Sequence, residues 1–395
     1  MIKINKIHSQ EFVQRYISIA RDEILIPNFN NLITEIPILK RREVQDLFTT
    51  NFLYTLLIAE PSEFETIINR VFSVFPALAE RYCYSYLLRN MSIDIQYRDL
   101  ELTSPSDRDT FDDIVDNVIS QLQALQLNQR LLYLTPQYIS ILTSNVARNK
   151  KRKVLVRLDN AKRGKSQITD KLKACFPDWI NKFEACFDYG RLAEQLGADI
   201  CQNLELEICP YCGVENIQTY IGEGIDIRPD LDHFYPKTRF PFLAISIYNL
   251  IPAGTICNQK HKKNYPMLEH MHPYIDSLND DVVFDFMYRP GFDIKDDLFI
   301  NILQQNELKE KNINIFKLRE FYNKNMELRR WFSTSVELID YLKGSGADTA
   351  NLPLPLLKPL VDLTEPNTKV SAQKFKVEAI NKICETDLVI TPQNQ

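Results

Sequence analysis

Apolar residues recur at helical spacing along most of this chain and at strand spacing in one short middle stretch. In "PSEFETIINRVFSVF" (61–75), Ile67, Ile68, Val71, Phe72 and Phe75 form one stripe, the repeat of a helix with a single buried face. Ser62 followed by Glu65 predicts a capping box at its start. "SPSDRDTFDDIVDNVISQLQAL" (104–125) repeats the pattern. Acids crowd its first turn, where the helix dipole favours them, and Phe111, Ile114, Val115, Val118 and Leu122 share a face. "TPQYISILTSNVARNKK" continues the helical texture, and "SQITDKLKACFPDWINKFEACF" is helical but interrupted at Pro177. After residue 300, "FKLREFYNKNMELRRWFSTSVELIDYLKG" sets Leu318, Phe321, Tyr322, Leu328, Phe332, Val336 and Ile339 at helical spacing and stops at Gly344. Its aromatics read as core rather than as a base-stacking platform. "LPLPLLKPLVDLTEP" predicts a proline-punctuated linker, and a last short helix is expected from near Ser371.

The middle has a different texture. "IQTYIGEGIDI" alternates around a glycine-containing turn and predicts a hairpin. "LDHFYPK" follows, then a strand-like run into "NLIP", then "ICNQKHKK", the opening of a lysine-rich helix. The expected fold class is α+β: a mainly α-helical chain with a small embedded ββα unit. The expected organisation is a helical region over 1–200, the chemistry-bearing unit over 201–275 and a second helical region over 276–395. A chain of 395 residues exceeds one ordinary core, so two or three packed units are expected.

Composition narrows the functions. Ten glycines in the whole chain suit a helix-rich fold with few tight hairpins. A net charge of −5 excludes a global basic field, so a polyanion would need a local patch. The densest basic segment is "RNKKRKVLVRLDNAKRGK" (148–165), read either as a solvated helix end with a charged loop or as a phosphate-contacting patch. The N-terminal stretch lacks the unbroken apolar core of a signal peptide, and "FPFLAISIYNLIP" is too short and interrupted to span a bilayer. Eight scattered cysteines make no disulfide framework. The expectation is a cytoplasmic protein without a membrane segment, whose close cysteine pair is metal-binding or catalytic.

That pair lies in "CPYCG" (209–213). Cys-Pro-Tyr-Cys is also the redox motif of glutaredoxins, but there it opens a helix directly after a strand near the start of a small α/β domain. Here it follows two hundred residues of helical pattern and precedes a hairpin pattern. The zinc reading has a downstream partner in Cys257, beside Asn258.

The ordered set Cys-x-x-Cys, Asp-His-x-x-Pro-Lys, Asn-Leu-x-Pro and Cys-Asn, over residues 209 to about 265, resembles the HNH endonucleases of the His-Me finger (ββα-metal) group. Long helical flanks make it most similar to HNH nucleases of bacterial anti-phage defence loci. The resemblance implies His233 as general base, a role a neutral imidazole can fill near pH 7. It implies Asp232 and Asn258 as oxygen ligands of one Mg²⁺ or Mn²⁺, and Asn249 as the residue that positions the His-bearing loop. Lys237, Lys260 and Lys262 would hold flanking phosphates. DNA is the implied substrate, and cleavage is expected to leave 5′-phosphate and 3′-hydroxyl ends. A regulating partner, such as an ATPase encoded alongside, is expected because free nuclease activity would damage the host. The zinc half departs from the family pattern. Gly254 stands where the third cysteine of that pattern belongs, leaving Cys209, Cys212 and Cys257. Structural zinc takes four ligands, so either Cys201, His261, His270 or His272 supplies the last, or the site is empty and held by packing instead. Two other readings share these residues: RNA cleavage by the same site, and a helical interaction module with a structural, non-catalytic finger.

Overall fold

The computed structural model describes residues 1–129, 131–165, 168–278, 283–289 and 293–386. It is an α-rich α+β fold in which, among the described residues, helices outweigh three separate two-stranded antiparallel sheets. β1 (Tyr220–Gly222) pairs with β2 (Ile225–Ile227), β3 (Asp230–His233) with β4 (Leu250–Ala253), and β5 (Val283–Met287) with β6 (Phe299–Leu303).

The helical stripes lie where the periodicity places them. Phe64–Val74 is a helix that buries Ile67, Ile68, Val71 and Phe72, with Phe75 buried just beyond it. Each such side chain contributes about 1.5–3 kcal/mol by leaving water. Its capping box sits two residues earlier than expected: Glu60 and Glu63 cap the 3₁₀ turn Pro61–Glu63, in place of Ser62 and Glu65. The reason is Pro61, which fits the first turn of a helical segment and moves the start upstream. Pro105–Asn128 buries all five expected residues. Pro177 caps the helix Asp178–Lys182, as a break there requires.

Two elements differ from expectation. Asn325 splits the long C-terminal helix into Leu318–Lys324 and Met326–Gly344, because its side chain accepts the N–H groups of Glu327 and Leu328 and starts a new helix. The region after 276 is also not all helical. In β5 and β6 the side chains of Phe284, Phe286, Ile300 and Ile302 alternate inward. Phe284 and Phe286 pack on Phe375 of the final helix, Gln373–Cys384.

Buried apolar residues from all three expected stretches join one hydrophobic cluster. The middle segment is clasped from both flanks. The Tyr16 hydroxyl donates to the Ile245 carbonyl at 2.9 Å, and the Tyr322 hydroxyl to the Cys212 carbonyl at 2.8 Å. The Ala372 N–H reaches the Gly213 carbonyl at 2.7 Å.

Candidate metal centre and nuclease-like site

β3 and β4 pair with His233 opposite Leu250 and Asp232 opposite Ile251, and the short helix Ile256–Lys262 follows. The chain therefore runs strand, sixteen-residue connection, strand, helix. The helix is wound wider than an α-helix, with the Lys263 N–H bonded to the Asn258 carbonyl five residues back.

The connection between the strands is held by Asn249. Its amide donates to the carbonyls of Tyr235 at 3.0 Å and Leu243 at 2.9 Å and accepts the Tyr235 N–H at 2.8 Å. With the Phe234 N–H on the Asn249 carbonyl, this fixes the backbone on either side of the loop. Asn249 is fully buried, so it acts through the loop and not on a substrate.

His233 ends β3. Its Nε2 lies 2.9 Å from the Ala244 carbonyl oxygen. A carbonyl only accepts, so Nε2 carries the proton and the lone pair of the neutral ring sits on Nδ1. The ring meets Tyr189 edge-on at 4.3 Å, and Lys237 lies over the Tyr189 ring. Burial, with help from the Lys237 and Lys262 charges, pushes the His233 pKa down to about 3 against the opposing Ala244 bond. The imidazole is thus neutral at pH 7.

Asp232 points to the other face of β3. Its Oδ1 takes the Lys262 ammonium at 2.9 Å and its Oδ2 the Tyr211 hydroxyl at 2.5 Å. Lys262 also donates to the His233 carbonyl at 2.6 Å. The pair is buried, with 3% of the Asp232 and 1% of the Lys262 surface exposed. This corrects the expectation that Lys262 faces flanking phosphate: its ammonium is committed inside the protein. Lys260 and Lys237 remain exposed. Asn258 is half-buried, and its amide nitrogen donates to Asp230 Oδ2 at 3.3 Å. Asp232 and Asn258 offer the oxygen chemistry a hard divalent cation takes. The arrangement opposes one at Asp232, because the Lys262 ammonium already neutralises that carboxylate.

Cys209, Cys212 and Cys257 come together, all buried, with their sulfurs within 4.8 Å of one another. The Cys212 thiol is held well toward thiolate because Cys209 and Cys257 hydrogen-bond to it. Its sulfur also accepts the Glu215 N–H at 3.4 Å. None of Cys201, His261, His270 and His272 joins the cluster. His272 packs on Phe234 at 4.2 Å, and His270 Nδ1 bonds the Leu268 carbonyl.

Motif reading missed Tyr211 and Glu215. Tyr211 lies inside the cysteine motif, stacks on Phe316 at 4.4 Å and reaches Asp232. No spacing rule flags it. The basic segment 148–165 divides. Arg148 pairs with Asp112, Arg163 with Asp159, and Arg152 donates to the Leu100 carbonyl. Lys150, Lys153 and Arg157 stay exposed on one side of the helix Arg148–Lys162. The turn after that helix docks on the candidate site, where Arg239 donates to the Gly164 carbonyl at 3.1 Å.

Compared with known proteins, the chain matches no family model, no curated protein and no solved structure.

Proposed function

We propose that the protein is a metal-dependent endonuclease of the HNH type that hydrolyses DNA phosphodiester bonds, with a place in bacterial anti-phage defence. The observation that carries this reading is His233. It sits at the end of the first strand of a ββα unit, neutral, with one nitrogen anchored on the Ala244 carbonyl and the other holding a lone pair. In that state Nδ1 takes a proton from an attacking water and turns it into a nucleophile. Asn249 holds the carbonyls of Tyr235 and of Leu243, the residue before Ala244, so the imidazole stays aimed. With Lys262 released, Asp232 and Asn258 would hold one Mg²⁺ or Mn²⁺, which would supply the positive charge that phosphodiester hydrolysis calls for. Lys237, Lys260 and the exposed Lys150, Lys153 and Arg157 would bind the backbone as point charges. These contacts read phosphate and not bases, so RNA is an alternative substrate of the same chemistry.

Release of Asp232 from Lys262 is then a requirement for activity. It gives a partner or trigger, such as a co-encoded ATPase, something concrete to act on. The same ion pair favours the second reading, a finger kept for structure within a helical interaction module, because a satisfied carboxylate needs no metal. Supercoiled plasmid and single-stranded RNA, incubated with Mg²⁺, with Mn²⁺ or with EDTA beside His233→Ala, separate the readings. Metal-dependent DNA nicking that vanishes in the variant supports the nuclease. Metal uptake without cleavage of either substrate supports the structural finger.

A further inference from the structure

We propose that Cys209, Cys212, Cys257 and the carboxylate of Glu215 form a four-ligand zinc site, with Glu215 in place of a cysteine at position 254. Three buried sulfurs within 4.8 Å already make most of a tetrahedral shell. Thiolates select zinc over the hard cations that carboxylates alone would take. Zinc in structural sites takes a fourth ligand, and carboxylate oxygen is among the donors zinc accepts.

The fourth ligand is chosen by space. A side chain begun at Gly254 would place its Cβ 1.9 Å from Glu215 Oε2 and 2.2 Å from Glu215 Cδ. The carboxylate therefore fills the volume that a residue-254 side chain would occupy, three residues before Cys257. Gly254 lacks a side chain because Glu215 is there. The third of its three nearest approaches is also to Glu215, at 2.9 Å, and its φ lies outside the left-handed region, so the backbone itself does not require glycine. Glu215 Oε2 is sealed from solvent with no hydrogen-bond partner. An unpaired buried carboxylate oxygen is costly unless a cation meets it. The backbone at Thr255 and Ile256 acts on the same carboxylate, lowering its pKa against the raising effect of burial, so Glu215 lies between the cysteine turn and the start of the following helix. Glu215 also donates its N–H to the Cys212 sulfur, and its carbonyl accepts the Cys209 N–H at 2.8 Å. Its carboxylate is outside 4.8 Å of at least one sulfur, so closing on an ion takes a small inward swing of the side chain. The site would pin the Ile256–Lys262 helix, and with it Asn258 and Lys262, against β3.

The test reads metal and not cleavage, so it stands or falls apart from the nuclease reading. Full-length protein is analysed for zinc by mass spectrometry and titrated with Zn²⁺ against a chromogenic chelator and with Co²⁺ by absorption. The expected result is one zinc per chain and a tetrahedral cobalt spectrum. Glu215→Gln and Glu215→Ala are expected to weaken zinc at least about tenfold, the lower bound for disturbing even an outer partner of a metal site. The paired variant Glu215→Ala/Gly254→Cys is expected to regain one zinc. It should show stronger sulfur-to-cobalt charge transfer than the wild type, because a fourth thiolate replaces oxygen. This pair decides the matter even if a single variant fails to fold. Wild-type protein that takes up neither ion, single variants with unchanged affinity and cobalt spectrum, or a paired variant whose spectrum equals the wild type's would each overturn the proposal.

Discussion

The two faces of β3 make opposite uses of adjacent residues. On one, His233 is kept uncharged among the Ala244 carbonyl, Tyr189 and a loop locked by Asn249. His8, elsewhere in the fold, is a second buried imidazole. It is 4% exposed, packs near Tyr248 with ring centroids 6.0 Å apart, and leaves both ring nitrogens unbonded. On the other, the Asp232 carboxylate takes the Lys262 ammonium and the Tyr211 hydroxyl, beside the cysteine cluster. Asp-His reads as one motif in the sequence. The pleat of the strand separates it into a neutral acceptor and a compensated anion. A proton acceptor needs a site that disfavours its charged form, whereas a buried carboxylate needs a site that supplies a counter-charge.

The largest expected effect falls on the neutral face. Replacing His233 with Ala should cut metal-dependent plasmid nicking by about 10²- to 10⁴-fold, the usual contribution of a positioned base, with the fold retained by circular dichroism. Wild-type nicking rates in the variant would remove His233 from the chemistry. On the charged face, Lys262→Met strands Asp232 without its partner. Urea denaturation should show a loss of about 3–5 kcal/mol, and Asp232→Asn added to it should restore most of that. If the double variant stays as unstable as the single, packing and not charge holds this face.

Asn249→Ala should cost about 1–3 kcal/mol for each backbone group it leaves unpaired. It should also lower cleavage more than it weakens DNA binding, since it acts on the loop that carries Ala244. A smaller effect concerns acid. Burial lowers the His8 pKa from 6.5 to about 4. The unfolded chain therefore binds the extra proton first, so His8 contributes stability above pH 6.5 that is lost as pH falls toward 4. His8→Leu should flatten thermal stability across that window, and an unchanged slope would show that His8 protonates freely in the fold. The least effect on the fold is expected from Lys150→Glu, Lys153→Glu and Arg157→Glu. Stability should move by no more than about 0.5 kcal/mol. The salt slope of DNA binding should fall by roughly 0.9 for each phosphate that the helix ceases to neutralise, and an unchanged slope would take this helix off the nucleic-acid surface.

The helical stripes were legible because burial on one face imposes a local period, as in Pro105–Asn128. The β5–β6 hairpin was not. Its inward Phe284 and Phe286 make only a short alternation, and Gln373–Cys384, which covers them, lies far along the chain. At the site, the grouping of Cys209, Cys212 and Cys257 was legible from spacing. The burial of Lys262 was not, because a lysine among lysines at a helix end has the pattern of a solvated charge. Glu215 left a faint mark: a glycine where a ligand was expected, and an acid three residues after Cys212. Only the fold shows that the two occupy one volume.

The clasp around the cysteine turn also sets a schedule. The Ser371 hydroxyl bonds the Val214 carbonyl across 157 residues. A ribosome adding about 5–20 residues per second takes roughly 8–30 s between making those two partners. Until then the turn lacks the strap that finishes its burial. A growing chain therefore carries its cysteine turn unstrapped while the 157 residues between the two partners are made.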